Sequence, residues 1–230
     1  MKWFSDLIDL IFPRHCCVCG ETLSRQEHDI CLNCLYTLPK IEAHHKLEIE
    51  QIFWGKIGIE HATSFIYYRK GSPYNALMHK LKYKDTPEVG TRLAEMAAKE
   101  LLESGFFNGI TRIVPLPLSR KKQRQRGYNQ SEYIAMGLSK VTGIPVDTTL
   151  VKRDIANETQ THKHREERWK NVENIFSVTD ATALSGKHIL LVDDVITTGA
   201  TLTSCGRAIL HVAPDAKISI FTLACAGKSI

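Results

Sequence analysis

The sequence predicts an α/β protein, a mostly parallel sheet flanked by helices, with a small N-terminal four-cysteine module ahead of it. Three observations carry this expectation. Residues 189–192 are an apolar run that reads as a buried strand; it ends in Asp193 and Asp194, passes a hydroxyl-rich turn and gives way to helical character over 202–213. Strand-like runs at 61–68, 110–118 and 217–224 alternate with helical stretches at 87–102 and 129–142, the order that crossover connections require. Cys16-Cys17-Val18-Cys19 and Cys31-Leu32-Asn33-Cys34 form two Cys-x2-Cys pairs with eleven residues between them.

A chain of 230 residues, 43% hydrophobic and 24% charged, has the composition of a globular protein of one or two domains. Residues 3–12 are apolar but broken by Asp6 and Asp9, so they are expected to form an amphipathic helix packed on the protein, neither a signal peptide nor a membrane span. A cytoplasmic location with reduced thiols follows as the expectation. The net charge of +5 is unevenly spread: residues 1–60 hold 6 Lys and Arg against 9 Asp and Glu, and residues 61–230 hold 24 against 16. Attraction for polyanions therefore belongs to the larger part.

With reduced thiols the two knuckles read as a tetrahedral zinc site of Cys16, Cys19, Cys31 and Cys34; a pair of disulfides is the competing reading. Four thiolates leave no open coordination position, so the metal is structural, and a segment this poor in apolar residues needs it to fold. Cys17 stays outside the set, because using it would leave a one-residue spacer. Cys205 and Cys225 are expected to be small buried residues. The division expected is 1–58 for the helix, module and connector, and 59–230 for the main domain.

Along that domain, a strand over 61–68 precedes a short helix at 76–81 and a basic turn carrying Lys82 and Lys84, and Pro87 sits at the first turn of the next helix. In the connector before it, His44 and His45 are read as solvated. Pro115 and Pro117 end the strand over 110–118 at a sheet edge or mouth. Directly after it, Arg120, Lys121, Lys122, Arg124 and Arg126 place five cations in seven residues. Their repulsion is costly without an anion, and Gly127 with no apolar anchor suggests that the segment moves. Residues 153–170 are mixed in charge; Arg165, Arg168 and Trp169 either belong to a flap over a site or to a solvated helix with Trp169 in the core.

In an open α/β sheet ligands bind beyond the carboxyl ends of the strands, which puts the site at residues 193–201. Successive N–H groups and threonine hydroxyls at 197–201 suit a phosphate at a helix N-terminus. Two adjacent carboxylates would repel that phosphate unless they face vicinal hydroxyls or a magnesium ion. A ribose 5-phosphate carries both kinds of group.

This stretch resembles the phosphoribosyl-pyrophosphate (PRPP) binding loop of the type I phosphoribosyltransferases. The resemblance implies that Asp193 and Asp194 hold the ribose hydroxyls, and that Thr197, Thr198, Gly199, Ala200 and Thr201 hold the 5-phosphate. It further implies that Lys82 and Lys84 meet the pyrophosphate, that magnesium enters with PRPP, and that a mobile loop at 120–126 closes to exclude water. The run Arg126-Gly127-Tyr128-Asn129-Gln130-Ser131-Glu132 and Ile11-Phe12-Pro13 before the cysteines narrow the likeness. With Arg153, Gln160, Arg165, Arg168, Asn171, Val172 and Phe176 they are similar to the ComF family over nearly the whole chain, Cys17 and His162 departing from its pattern. That resemblance implies a type I phosphoribosyltransferase fold behind a zinc module and a role in DNA uptake and natural transformation. It also implies single-stranded DNA and a ComFA-like helicase as partners. One alternative is a working phosphoribosyltransferase of nucleobase salvage or nucleotide metabolism, with Asp193 or Asp194 as general base and only Trp54 or Trp169 to stack an acceptor. Another is a zinc-ribbon nucleic-acid binder whose phosphoribosyl domain senses nucleotide supply; the acidic balance of residues 1–60 counts against it.

Overall fold

The computed structural model describes residues 12–41, 46–83, 86–153 and 175–226. The expected N-terminal helix, His44, His45, Lys84, Gln160, His162, Arg165, Arg168, Trp169, Asn171 and Val172 lie outside the described residues. A four-stranded sheet in the order β1-β6-β5-β2 organises the main body, formed by β1 (His61–Tyr67), β2 (Arg112–Pro115), β5 (His188–Ile196) and β6 (Lys217–Cys225). Every pairing in it is parallel. A parallel sheet needs cover on both faces, and the near-continuous apolar runs of β5 and β6 reflect this. Leu190 and Val192 face one core with Leu93, Ala97, Ile134 and Leu138, whereas Ile189 and Leu191 face the other with Leu202, Cys205 and Ile209.

The first core is closed by α3 (Asn75–Tyr83), α4 (Glu88–Glu103) and α6 (Gln130–Thr142), and the second by α7 (Ala200–Val212). Helices α4 and α6 cross closely: a Cβ on Gly137 would lie 2.3 Å from the Thr91 carbonyl oxygen. β2 holds the sheet edge, where a proline removes no ladder bond on its open side.

Several elements differ from the sequence expectations for identifiable reasons. Helix α3 continues to Tyr83, so Lys82 stands on its last turn and not in a free loop. Strand β5 runs on to Ile196 and carries both aspartates at its carboxyl end. The cationic segment 120–126 is helix α5 (Arg120–Arg126), capped by the Ser119 hydroxyl, which accepts from the Lys122 N–H, and closed by Gly127 at φ 76. Lys, Arg and Gln are good helix formers, and none of the seven side chains is buried. The connector contains α2 (Lys46–Gln51), and Ile49 and Phe53 pack into the second core. An antiparallel pair, β3 (Val151–Arg153) with β4 (Phe176–Val178), forms a second sheet; three residues a strand are too few to show a period. Cys205 and Cys225 are buried as expected, and burial pushes their thiols up to about 12 and about 11. Among the described residues no helix is long and apolar enough to cross a membrane.

Candidate functional site

The ligand atoms of Cys16, Cys19, Cys31 and Cys34 lie within 4.8 Å of one another, the Cys19 and Cys31 sulfurs 3.7 Å apart. Zinc–sulfur bonds of about 2.3 Å place tetrahedral sulfurs about 3.8 Å apart, so the donor set fits structural zinc. Burial raises the Cys16 thiol, but the N–H groups of Cys19, Cys31 and Val18 outweigh it and bring it down to about 6. Burial and the neighbouring sulfurs push Cys34 up, a repulsion that a bound divalent cation removes. Helix α1 (Leu32–Tyr36) carries the last ligand. Cys17 is not in the cluster and packs against the first core. The module is fastened to the main body by charge and by a tyrosine. Asp29, in the left-handed region at φ 56, pairs with Lys80 of α3 at 2.5 Å and with Arg92 of α4. The Tyr74 hydroxyl donates to the Cys34 carbonyl at 3.0 Å.

At the carboxyl end of β5, Asp193 Oδ1 accepts from the Ser131 hydroxyl at 3.0 Å and from the Asp194 N–H at 2.8 Å. Asp194 Oδ2 lies 3.1 Å from Lys82 Nζ. Burial, then the charge of Asp194, push the Asp193 carboxyl up to about 7; the Asp194 N–H, the Ser131 hydroxyl and Lys82 offset only part of this. Two carboxylates held together with, among the described residues, one ammonium ion-paired to them form a site short of donors and positive charge. Vicinal hydroxyls or a divalent cation would supply what is missing.

The turn that follows leads from the acids into α7. Thr197, Thr198, Ala200 and Thr201 are exposed, Gly199 is buried, and Gly199 at φ 72 caps α7. A Cβ there would lie 2.8 Å from Ile52 and 3.0 Å from Phe53, so both the backbone conformation and the packing demand glycine. The Thr198 hydroxyl accepts from the Ala200 N–H at 3.4 Å, and the Gly199 carbonyl receives the Thr203 N–H at 2.8 Å, which starts the helix.

Lys82 reaches the acids. Arg120, Lys121, Lys122 and Arg124 stand on the exposed surface of α5, and Arg126 turns inward, its guanidinium 5.4 Å from the Tyr83 ring centroid and donating to Gln130 Oε1 at 2.6 Å. The Tyr128 hydroxyl donates to the Leu81 carbonyl at 2.8 Å, joining the start of α6 to the end of α3. Two members of this neighbourhood escape the sequence reading. Ser131 belongs to a recognisable run, but nothing local says that its hydroxyl meets Asp193. Lys56, 142 positions from its partner, donates to the Thr198 carbonyl at 3.1 Å and brings an ammonium to the 197–201 turn. Its own carbonyl is held by Arg207 at 3.1 and 2.9 Å.

Residues 82–229 match the family model described as the phosphoribosyl transferase domain, and residues 7–45 match the double zinc ribbon domain. The DNA utilization protein YhgH of Salmonella typhi is 31% identical over 142 residues, 60% of this chain and 62% of that protein's length. The competence protein ComFC of Bacillus subtilis is 37% identical over 111 residues, covering 48% of this chain and 43% of the relative. Competence protein F of Haemophilus influenzae is 28% identical over 156 residues, 66% and 68% of the two chains. Among solved structures, a glutamine PRPP amidotransferase from B. subtilis complexed with ADP and GMP aligns with 63% of this chain and 30% of that one, at 17% identity and a TM-score of 0.44. With a family match running from Lys82 through both aspartates and the Gly199 loop, behind a zinc-ribbon module, the chain belongs to the phosphoribosyltransferase domain family, and the relatives it resembles are of ComF type.

Proposed function

We propose that this chain is a cytoplasmic PRPP-binding protein of the ComF type that acts in DNA uptake or processing. The observation that carries the reading is the Asp193–Asp194 pair at the end of β5, leading within five residues to a glycine-capped helix N-terminus. In this reading Asp193 and Asp194 hold the ribose hydroxyls and Thr197, Thr198, Gly199, Ala200 and Thr201 hold the 5-phosphate, with Lys56 beside them. Lys82 exchanges Asp194 for the diphosphate, and Lys84 joins it there. Magnesium bound with PRPP would neutralise diphosphate charge, and the acid pair is the part of the chain suited to receive it. The cations of α5 serve single-stranded DNA or the closing of the site, and a ComFA-like helicase is the protein partner. The division into 1–58 and 59–230 belongs to the same proposal. Asp193→Asn combined with Asp194→Asn should abolish PRPP binding in calorimetry while zinc content and the circular dichroism spectrum stay as in the parent. Binding that survives the double substitution would place the site elsewhere.

One observation favours transfer chemistry as a second reading. A carboxyl pushed up to about 7, as at Asp193, has the proton affinity of a general base at neutral pH. Pyrophosphate release from PRPP, stimulated by one member of a nucleobase panel and lost in the double variant, would establish it. No release from a protein that binds PRPP would leave the binding role.

A further inference from the structure

Gln130, the first residue of α6, is 1% exposed. Its Oε1 accepts from Arg126 Nη1 at 2.6 Å. A guanidinium can only donate, so the atom facing it is the oxygen, and the orientation of the amide is fixed. That leaves Nε2 on the other side, buried and with no hydrogen-bond partner among the described residues. Buried donors are almost always paired, and an unpaired one is an unfavourable feature that a ligand can relieve. The neighbours identify the ligand. Ser131, next in sequence, holds Asp193; Arg126 lies over Tyr83, which follows Lys82 on α3. Gln130 thus stands between the ribose acids and the cations of the diphosphate side. Arg126 belongs to α5, which has no buried side chain and can lift without opening either core.

We propose that Gln130 is a diphosphate-binding residue, its Nε2 donating to an anionic oxygen of an organic diphosphate when α5 lifts and carries Arg126 off the amide oxygen. The inference rests on the PRPP reading of the site and adds to it the residue that separates a diphosphate ester from a simple sugar phosphate.

The test compares the affinities of PRPP and ribose 5-phosphate, both with magnesium, by calorimetry on the full chain. Gln130→Glu keeps an acceptor for Arg126 and removes the donor; Gln130→Met removes both. PRPP affinity should fall about tenfold or more in each variant, the loss expected for a hydrogen bond to a charged oxygen, with ribose 5-phosphate affinity within about twofold of the parent. Equal losses for both ligands would overturn the inference, because Gln130 would then act through Ser131 and Asp193. Unchanged PRPP affinity would overturn it also. If the parent binds neither ligand, the PRPP reading falls and takes this inference with it; if the parent binds both and the variants match it, the inference alone falls.

Discussion

Asp193→Asn should make the unliganded protein more stable at alkaline pH while weakening its affinity for PRPP. In the folded chain the Asp193 carboxyl is pushed up to about 7 by burial and by Asp194, whereas an unfolded aspartate titrates near 3.9. Between these two values the folded state holds one proton that the unfolded state has released, so stability falls as pH rises, by about 1.4 kcal/mol per unit. The contribution is fully present below about pH 4 and is lost by about pH 7, a total of about 4 kcal/mol. Asparagine carries no such penalty, and its Oδ1 can still accept from Ser131 and from the N–H of residue 194. At pH 8.5 the variant should therefore melt above the parent, by about 8–16 °C for a stabilisation of this order in a chain of this size. At pH 5.5 about half of the penalty has developed, so the difference between variant and parent should shrink accordingly. Differential scanning calorimetry at the two pH values, with zinc retained, measures both. A pH-independent difference, or a variant less stable at pH 8.5, would refute the electrostatic account of this site. The same carboxyl should lose its proton as PRPP binds, seen as proton release that depends on the buffer's ionisation enthalpy, because sugar hydroxyls donate best to the charged form.

Other perturbations test the neighbouring parts. Gly199→Ala forces a side chain into a conformation at φ 72 and against Ile52 and Phe53; it should cost about 2 kcal/mol in urea unfolding and weaken PRPP binding, and an unaffected affinity would separate the loop from the ligand. Cys31→Ser should reduce bound zinc from one per chain to almost none and make residues 14–38 accessible to limited proteolysis, since the metal supplies most of the folding energy of so small a module. Arg124→Ala together with Arg126→Ala should lower the slope of log affinity for single-stranded DNA against log salt by about 1.4, two phosphate contacts' worth; an unchanged slope would remove both from the interface.

The metal ligands and the acid–loop–helix stretch were legible in the sequence because each is local. Spacing alone brings four cysteines to one ion, and an apolar run followed by Asp193, Asp194 and a hydroxyl-rich turn dictates a buried strand and its mouth. The strand and helix order around them was legible for the same reason, since apolar periodicity reports which face each segment buries. Tertiary structure alone decided which distant groups complete the site. Lys56 reaches Thr198 because Phe53 and Ile57 pack beside α7, and Ser131 reaches Asp193 because α6 crosses above β5. The helicity of 120–126 was hidden by its charge, which argued for repulsion, while Ser119 and Gly127 supplied the caps. The proton affinity of Asp193 was beyond the sequence for the most general reason. It depends on how much water and how much opposite charge the fold leaves around one carboxyl, and the packing of β5, α3 and α6 settles both.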